Sequence, residues 1–300
     1  VPPRVAWLRN GRHRTTTREG AVMGMSGHGD FLDLVSRLTV RHRRPTTDYA
    51  VPEDRLHSIV FECLADGIAD DRVVSLMHVM GWHDEDACMA VAGHSHDDHD
   101  DVWEDGLLEF MRPHGVVLVL SGTRSGWTII VAAAREAQTV EDGIEAAASL
   151  FDEASPVCLG DMGRSAQGAS SSIRGVLSAL RTIPAVPDLP RVMRSSDVLP
   201  ERALLGDADA RRQLYDAVYS ALCEGGPLNP NLPTVDAFLR LGGSLDATAR
   251  QLKVHPNTVR YRLKRIAETT GWDATDPREA YVLRTALAIG RIGDAALRDS

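Results

Sequence analysis

The sequence predicts an α/β (α+β) middle domain with a mainly antiparallel sheet, followed by an all-α C-terminal helix-turn-helix domain. Three observations carry this. Strand-like and helix-like apolar patterns alternate between about residues 84 and 198. Two of the strand patterns flank Ser121-Gly122-Thr123-Arg124-Ser125-Gly126, a run of turn residues that predicts a hairpin. Beyond about residue 199 only helical spacing remains.

The elements follow in order. Residues 1–28 hold Arg4, Arg9, Arg12, Arg14 and Arg18 without a sustained period, which predicts a poorly ordered basic segment. Residues 29–83 read as helical. Phe31, Leu34, Val35 and Leu38 place one helix over 30–40, and further helices are expected over 52–67 and 70–80. In the middle domain, strands are expected at 87–92, 116–120, 127–132, 157–161 and near Val192, with helices at 101–111, 140–151 and 171–180. Ser170, Ser171 and Ser172 are expected to cap the last of these. Residues 199–232 read as a connecting helix, capped by Asp207 or Asp209, and a Gly/Pro linker. The last domain spans 233–295.

The totals describe an ordinary globular chain. Of 300 residues, 43% are hydrophobic and 25% charged, so a sizeable core is available. No apolar run approaches the length that spans a bilayer, so no membrane partner is expected. No charged start leading into an apolar stretch opens the chain, so no secretion signal is expected. The four cysteines (Cys63, Cys88, Cys158 and Cys223) form no close pair, which favours reduced thiols and a cytoplasmic location over a disulfide framework.

Net charge is −9, which by itself argues against nucleic acid. Its distribution argues the other way. Residues 247–267 hold six basic side chains and no acid: Arg250, Lys253, Arg260, Arg262, Lys264 and Arg265. The only two lysines of the chain fall here, and the remainder carries 27 basic against 42 acidic residues. Only the docking face has to meet phosphates, so a basic patch on an acidic body suffices.

That patch lies on a helix-turn-helix pattern. A helix over 234–241 turns Val235, Phe238 and Leu239 inward, and Gly242-Gly243 ends it. Ser244 caps the next helix, over 245–253, whose buried face is expected to be Leu245, Ala249 and Leu252. Lys253-Val254-His255 makes the turn, with Val254 plugging the corner, and Pro256 opens a last helix running to about Thr270. There Val259, Leu263 and Ile266 form the apolar stripe. Asn257, Thr258, Arg260, Tyr261 and Lys264 occupy the opposite face, where such a helix meets base edges in the major groove of duplex DNA. His255, Arg250, Lys253, Arg262 and Arg265 complete the candidate interface, mainly toward phosphates. Asp276-Pro277-Arg278-Glu279 reads as a capping box opening a helix with Leu283, Ala286, Leu287 and Ile289, expected to brace the motif rather than form a dimer seam.

The string Val254-His255-Pro256-Asn257-Thr258-Val259-Arg260-Tyr261-Arg262-Leu263, with Gly271 and Asp276-Pro277 downstream, resembles the C-terminal domain of the PucR/CdaR family of bacterial transcription regulators. The resemblance is close over about 207–292 and looser over 84–198, where that family has a degenerate GGDEF-like domain. The family's usual N-terminal sensor region is not recognisable. The resemblance implies a homodimer that binds a two-fold or repeated operator and responds to a small metabolite.

Other constellations are weighed against this. Cyclic-dinucleotide synthesis needs hairpin carboxylates to hold a divalent metal, and residues 121–126 contain none. A non-catalytic domain without cofactor is expected, and a metal- or nucleotide-dependent enzyme using the middle domain is the alternative. His94, His96 and His99, among Asp97, Asp98, Asp100 and Asp101, are weak metal-ligand candidates, with a solvated polar loop as the plainer expectation. His83, beside Asp84, Glu85 and Asp86, is expected in another exposed loop.

Overall fold

A computed structural model describes residues 52–95, 103–224, 226 and 229–298. The expected basic segment over 1–28 and the helix over 30–40 lie outside the described residues, as do His96 and His99.

Helices α1 (Pro52–Ala65) and α2 (Asp71–Val79) come first. Asp70 caps α2 by accepting the Arg72 N–H at 3.0 Å. The middle domain follows with β1 (Ala87–Gly93), α3 (Trp103–Met111), β2 (Leu118–Arg124), β3 (Trp127–Ala134), α4 (Ala137–Ala147), β4 (Val157–Leu159), β5 (Gly163–Arg164), α5 (Ser165–Leu180) and β6 (Val192–Arg194). The sheet order is β2-β3-β1-β4-β6, with β5 also pairing β1. Every pairing is antiparallel except β4 with β6.

All seven residues of β1 are buried, because helices cover both faces of the sheet. On one face Met89, Val91, Ile130 and Ala132 pack with Met111, Val140, Ile144 and Phe151. The other face meets α1 and α5. There the chain departs from expectation in two places. The hairpin turn is only Ser125-Gly126, at φ 55° and 83°, so the strands run on through Arg124 and Trp127. Two positive-φ residues give the turn whose twist matches a two-residue hairpin. Gly122 is therefore a strand residue. It is needed because the Phe61 ring of α1 covers it, where a Cβ would stand 2.3 Å from a ring carbon.

The second departure is α5, which starts at Ser165, so Ser170–Ser172 sit inside the helix and cap nothing. Ser170 and Ser172 are buried, and they serve neighbouring backbone instead. Ser170 Oγ donates to Leu64 O at 2.8 Å. Ser172 Oγ accepts from Ala90 N at 2.9 Å and donates to Asp161 O at 2.8 Å. Ala90 falls where β1 passes from its β5 partner to its β4 partner, and the serine hydroxyl takes the N–H there.

The C-terminal part is helical throughout: α6 (Leu199–Leu204), α7 (Ala208–Gln213), a π-helical stretch (Leu214–Tyr219), α8 (Ser220–Cys223), α9 (Asn231–Arg240), α10 (Leu245–Leu252), α11 (Pro256–Thr270) and α12 (Pro277–Arg298). Asp207 caps α7 through Asp209 N and Ala210 N. Leu214, Val218, Phe238, Ala249, Val259, Leu263, Ile266 and Leu283 share one core. Helix α9 begins at Asn231, earlier than the Pro-containing linker suggests, because Pro233 fits a first helical turn. In α10 the fully buried pair is Thr248 and Ala249, while Leu252 is only half-buried. Helix α12 packs across the π-helical stretch and touches α9, so it braces the motif.

The two parts are joined by charge. Arg202 is 1% exposed, donating from Nη1 to Ser195 O at 3.1 Å and from Nε to Asp207 Oδ2 at 2.9 Å. Asp161 takes Ser195 Oγ at 3.0 Å and Gln213 Nε2 at 2.7 Å. Arg278 of α12 forks onto Glu201 at 2.5 and 2.7 Å and reaches Asp197 O at 2.8 Å. Burial by itself would raise the Asp207 carboxyl, but Arg202 and the Ala210 N–H outweigh it and hold the group below the ordinary carboxylate value.

Candidate nucleic-acid interface

The interface is built from backbone up. Gly242 and Gly243 take φ 67° and 81°, which ends α9 in a tight corner. Ser244 Oγ accepts from Ala247 N at 3.2 Å, capping α10. Helix α10 stops at Leu252 because Lys253 is left-handed at φ 55°, so Lys253 is the exit residue rather than the last helical one. Val254 packs into the helical core as expected. His255 Nδ1 accepts from Asn257 N at 3.2 Å, and Pro256 takes the first helical position. Gly271 closes α11 at φ 78°.

Helix α11 then divides cleanly. Val259, Leu263 and Ile266 are buried, while Asn257, Arg260, Tyr261, Lys264 and Arg265 are exposed. Tyr261 is 66% exposed, high for an aromatic ring that no core claims. Arg260 Nη1 donates to Asn257 Oδ1 at 2.8 Å, so the two long polar groups point the same way. Thr258 is half-buried. Arg250 and Lys253 of the preceding helix and turn, and His255, are exposed. Arg262 behaves differently from its neighbours: it is half-buried and its Nη1 reaches Thr234 Oγ1 on α9 at 3.3 Å. Lys264 stands 3.9 Å from Glu268, the first acid beyond the patch, an exposed pair worth little.

Downstream, Asp276 caps α12 through Arg278 N and Glu279 N at 2.8 and 2.9 Å. Glu279 does not close a box on Asp276. Its carboxylate takes the Asp273 N–H, because Asp276 N is already bonded to Asp273 O.

In the middle domain β2, β3 and their turn carry no Asp or Glu. His94 is exposed and stacks on Trp127, ring centroids 4.0 Å apart. Among the described residues no three His, Cys, Asp or Glu are placed to hold a metal. The residues that join the two parts, Arg202, Glu201 and Arg278, carry no sequence signal, since isolated arginines and acids have no period.

An α/β domain with this hairpin, followed by a helix-turn-helix with a basic exposed second helix, defines a class of helix-turn-helix regulators with a GGDEF-like domain. The family model described as the PucR C-terminal helix-turn-helix domain matches residues 232–289, and the GGDEF-like domain model matches 65–182. The crystal structure of a regulator of polyketide synthase expression from Bifidobacterium adolescentis is 42% identical, with TM-score 0.75, covering 88% of this chain and 98% of that one. The chain belongs to the PucR/CdaR family of transcription regulators. It is also 43% identical over 137 residues to an uncharacterised protein of Mycobacterium tuberculosis, covering 46% of this chain and 33% of that protein. The purine catabolism regulatory protein of Bacillus subtilis is 31% identical over 103 residues, 34% of this chain and 19% of that one. The matched stretches thus span a third or less of these two relatives. No helix among the described residues is long and apolar enough to cross a membrane.

Proposed function

We propose that the protein is a DNA-binding transcription regulator in which α11 enters the major groove of a duplex operator. One observation carries this: the exposed face from Arg250 to Arg265 is basic and aromatic and holds no carboxylate, in a chain of net charge −9. Asn257 and Arg260 lie at the N-terminal end of α11, which meets base edges in this motif, and side chains of their types pair adenine and guanine. Arg250, Lys253, Lys264 and Arg265 take phosphates, while Arg262, turned toward Thr234, has the smaller part. Thr258, Tyr261 and His255 border the same face. The protein acts as a cytoplasmic homodimer on a two-fold or repeated site and answers to a small metabolite. It performs no bond chemistry, a view supported by the carboxylate-free hairpin.

The test is binding to own-promoter and random duplexes across a salt series, with an Arg260→Ala, Lys264→Ala double variant alongside. Wild type should select one sequence, with affinity falling steeply as salt rises. The variant should lose selectivity, and its log–log salt slope should fall by about 1–2. Equal binding of all duplexes by both proteins would overturn the proposal.

A further inference from the structure

Away from the interface, a cavity of about 470 Å³ opens beside the start of β6. That volume suits one small organic molecule. Its walls mix apolar and polar surface: Ile183, Val186, Leu189 and Met193 supply the aliphatic part, and Glu153, Ser155 and Arg191 also line it. Pro156, Pro184, Pro187 and Pro190 line it too, and their locked φ values keep the walls in shape without a ligand.

One cation belongs to this lining. Arg191 Nη2 donates to Phe151 O at 2.9 Å and Asp152 O at 3.0 Å, which fixes the guanidinium against backbone. Its Nε–H is buried without an acceptor. Among the described residues Arg191 makes no ion pair, and two backbone carbonyls hold its guanidinium. Glu153, the acid on the cavity wall, is solvent-exposed. A fixed guanidinium that has no ion pair among the described residues, beside aliphatic and proline side chains, is complementary to a carboxylate on an apolar body.

We infer that this cavity binds a small apolar carboxylic acid through Arg191. The site is wired to the reader. Arg191 leads directly into β6, which pairs with β4. Next comes Ser195–Val198, whose Ser195 O is held by Arg202 and Asp197 O by Arg278. Helix α6 follows, where Arg278 of α12 grips Glu201. A ligand that shifts Arg191 therefore pulls on the helix that braces the helix-turn-helix. This regulatory consequence rests on the DNA-binding proposal; occupancy of the cavity does not.

The test is calorimetric titration of the full chain with 4-methylpentanoate and phenylacetate, each beside its amide. The acids should bind with a dissociation constant of about 1 mM or tighter. The amides should bind at least about tenfold more weakly. Arg191→Gln should erase the acid–amide difference, and Val186→Trp, which fills the cavity without touching charge, should abolish binding. Melting curves verify that each variant folds, and the acid–amide comparison on wild type needs no variant. No binding of either acid at about 10 mM, acids no tighter than amides, or unchanged binding in both folded variants overturns the site. In the same samples, acid should shift operator affinity by about fivefold or more. Protein that binds acid but no duplex keeps the site and overturns the DNA-binding proposal. Binding of both without a shift overturns the coupling alone.

Discussion

Gly290 of α12 lies against the ring of Tyr219 so closely that a Cβ there would stand 2.2 Å from Tyr219 Cγ. The ring cannot swing aside freely, because Tyr219 Oη donates to Asp294 Oδ2 at 2.6 Å one turn further along the same helix. The π-helical stretch and the brace therefore depend on a residue with no side chain. Gly290→Ala should destabilise the protein by about 1–3 kcal/mol, even though alanine favours helix over glycine. Urea unfolding measures this, and an unchanged or higher midpoint would show that the ring has room to move.

Ser172 makes a separate prediction. Ser172→Ala removes the acceptor of the Ala90 N–H inside a strand that is buried along its whole length. An orphaned buried donor costs about 1–3 kcal/mol. Hydrogen exchange should report the loss locally, with the Ala90 amide exchanging faster than its neighbours in β1. Uniform protection along β1 in the variant would sink the assignment.

Lys253 tests strain against binding. It is a non-glycine residue at φ 55° in the turn of the motif. Lys253→Gly should stabilise the fold by about 1 kcal/mol, since glycine avoids the left-handed penalty. The same change should lower the salt slope of operator binding by about 0.9, through loss of one phosphate contact. A more stable variant with an unchanged slope would remove Lys253 from the interface while leaving the backbone argument intact.

Asp207 sets an acid limit on the joint between the two parts. Its folded carboxyl titrates below the ordinary value, with Arg202 and the Ala210 N–H overcoming the opposing effect of burial. A depressed carboxyl contributes stability above the unfolded value of about 4 and loses it as pH falls through the folded value. Asp207→Asn keeps a capping side chain but removes the charge. Wild type should exceed this variant in stability at pH 7, and the gap should close on acidification below about pH 4. A gap that stays constant from pH 7 to pH 3 would contradict the electrostatic account.

Helices and strands were legible where a period was strong. Val259, Leu263 and Ile266 announce α11, and the Ser244 cap and Pro256 mark where α10 and α11 begin, because these signals act within a turn or two of chain. The hairpin is legible too, but the length of its turn is not, for the opposite reason. Gly122 and Ser121 look like turn residues locally, yet Gly122 is small because Phe61, far away in sequence, covers it. The role of Ser170 and Ser172 is hidden in the same way, since their partners are Leu64, Ala90 and Asp161.

For the interface, the sequence alone determined which residues share the exposed face of α11. Helical period and the absence of acids are properties of one short segment. It could not separate Arg262 from Arg260, because the difference lies in Thr234 on another helix. Only the tertiary structure decided that Arg202, Glu201, Asp207 and Arg278 would meet at the joint, and that backbone carbonyls would hold Arg191 beside a proline-walled cavity. Pairings of that kind are set by how distant segments pack, and a charged residue written in a sequence carries no mark of the partner that burial will bring to it.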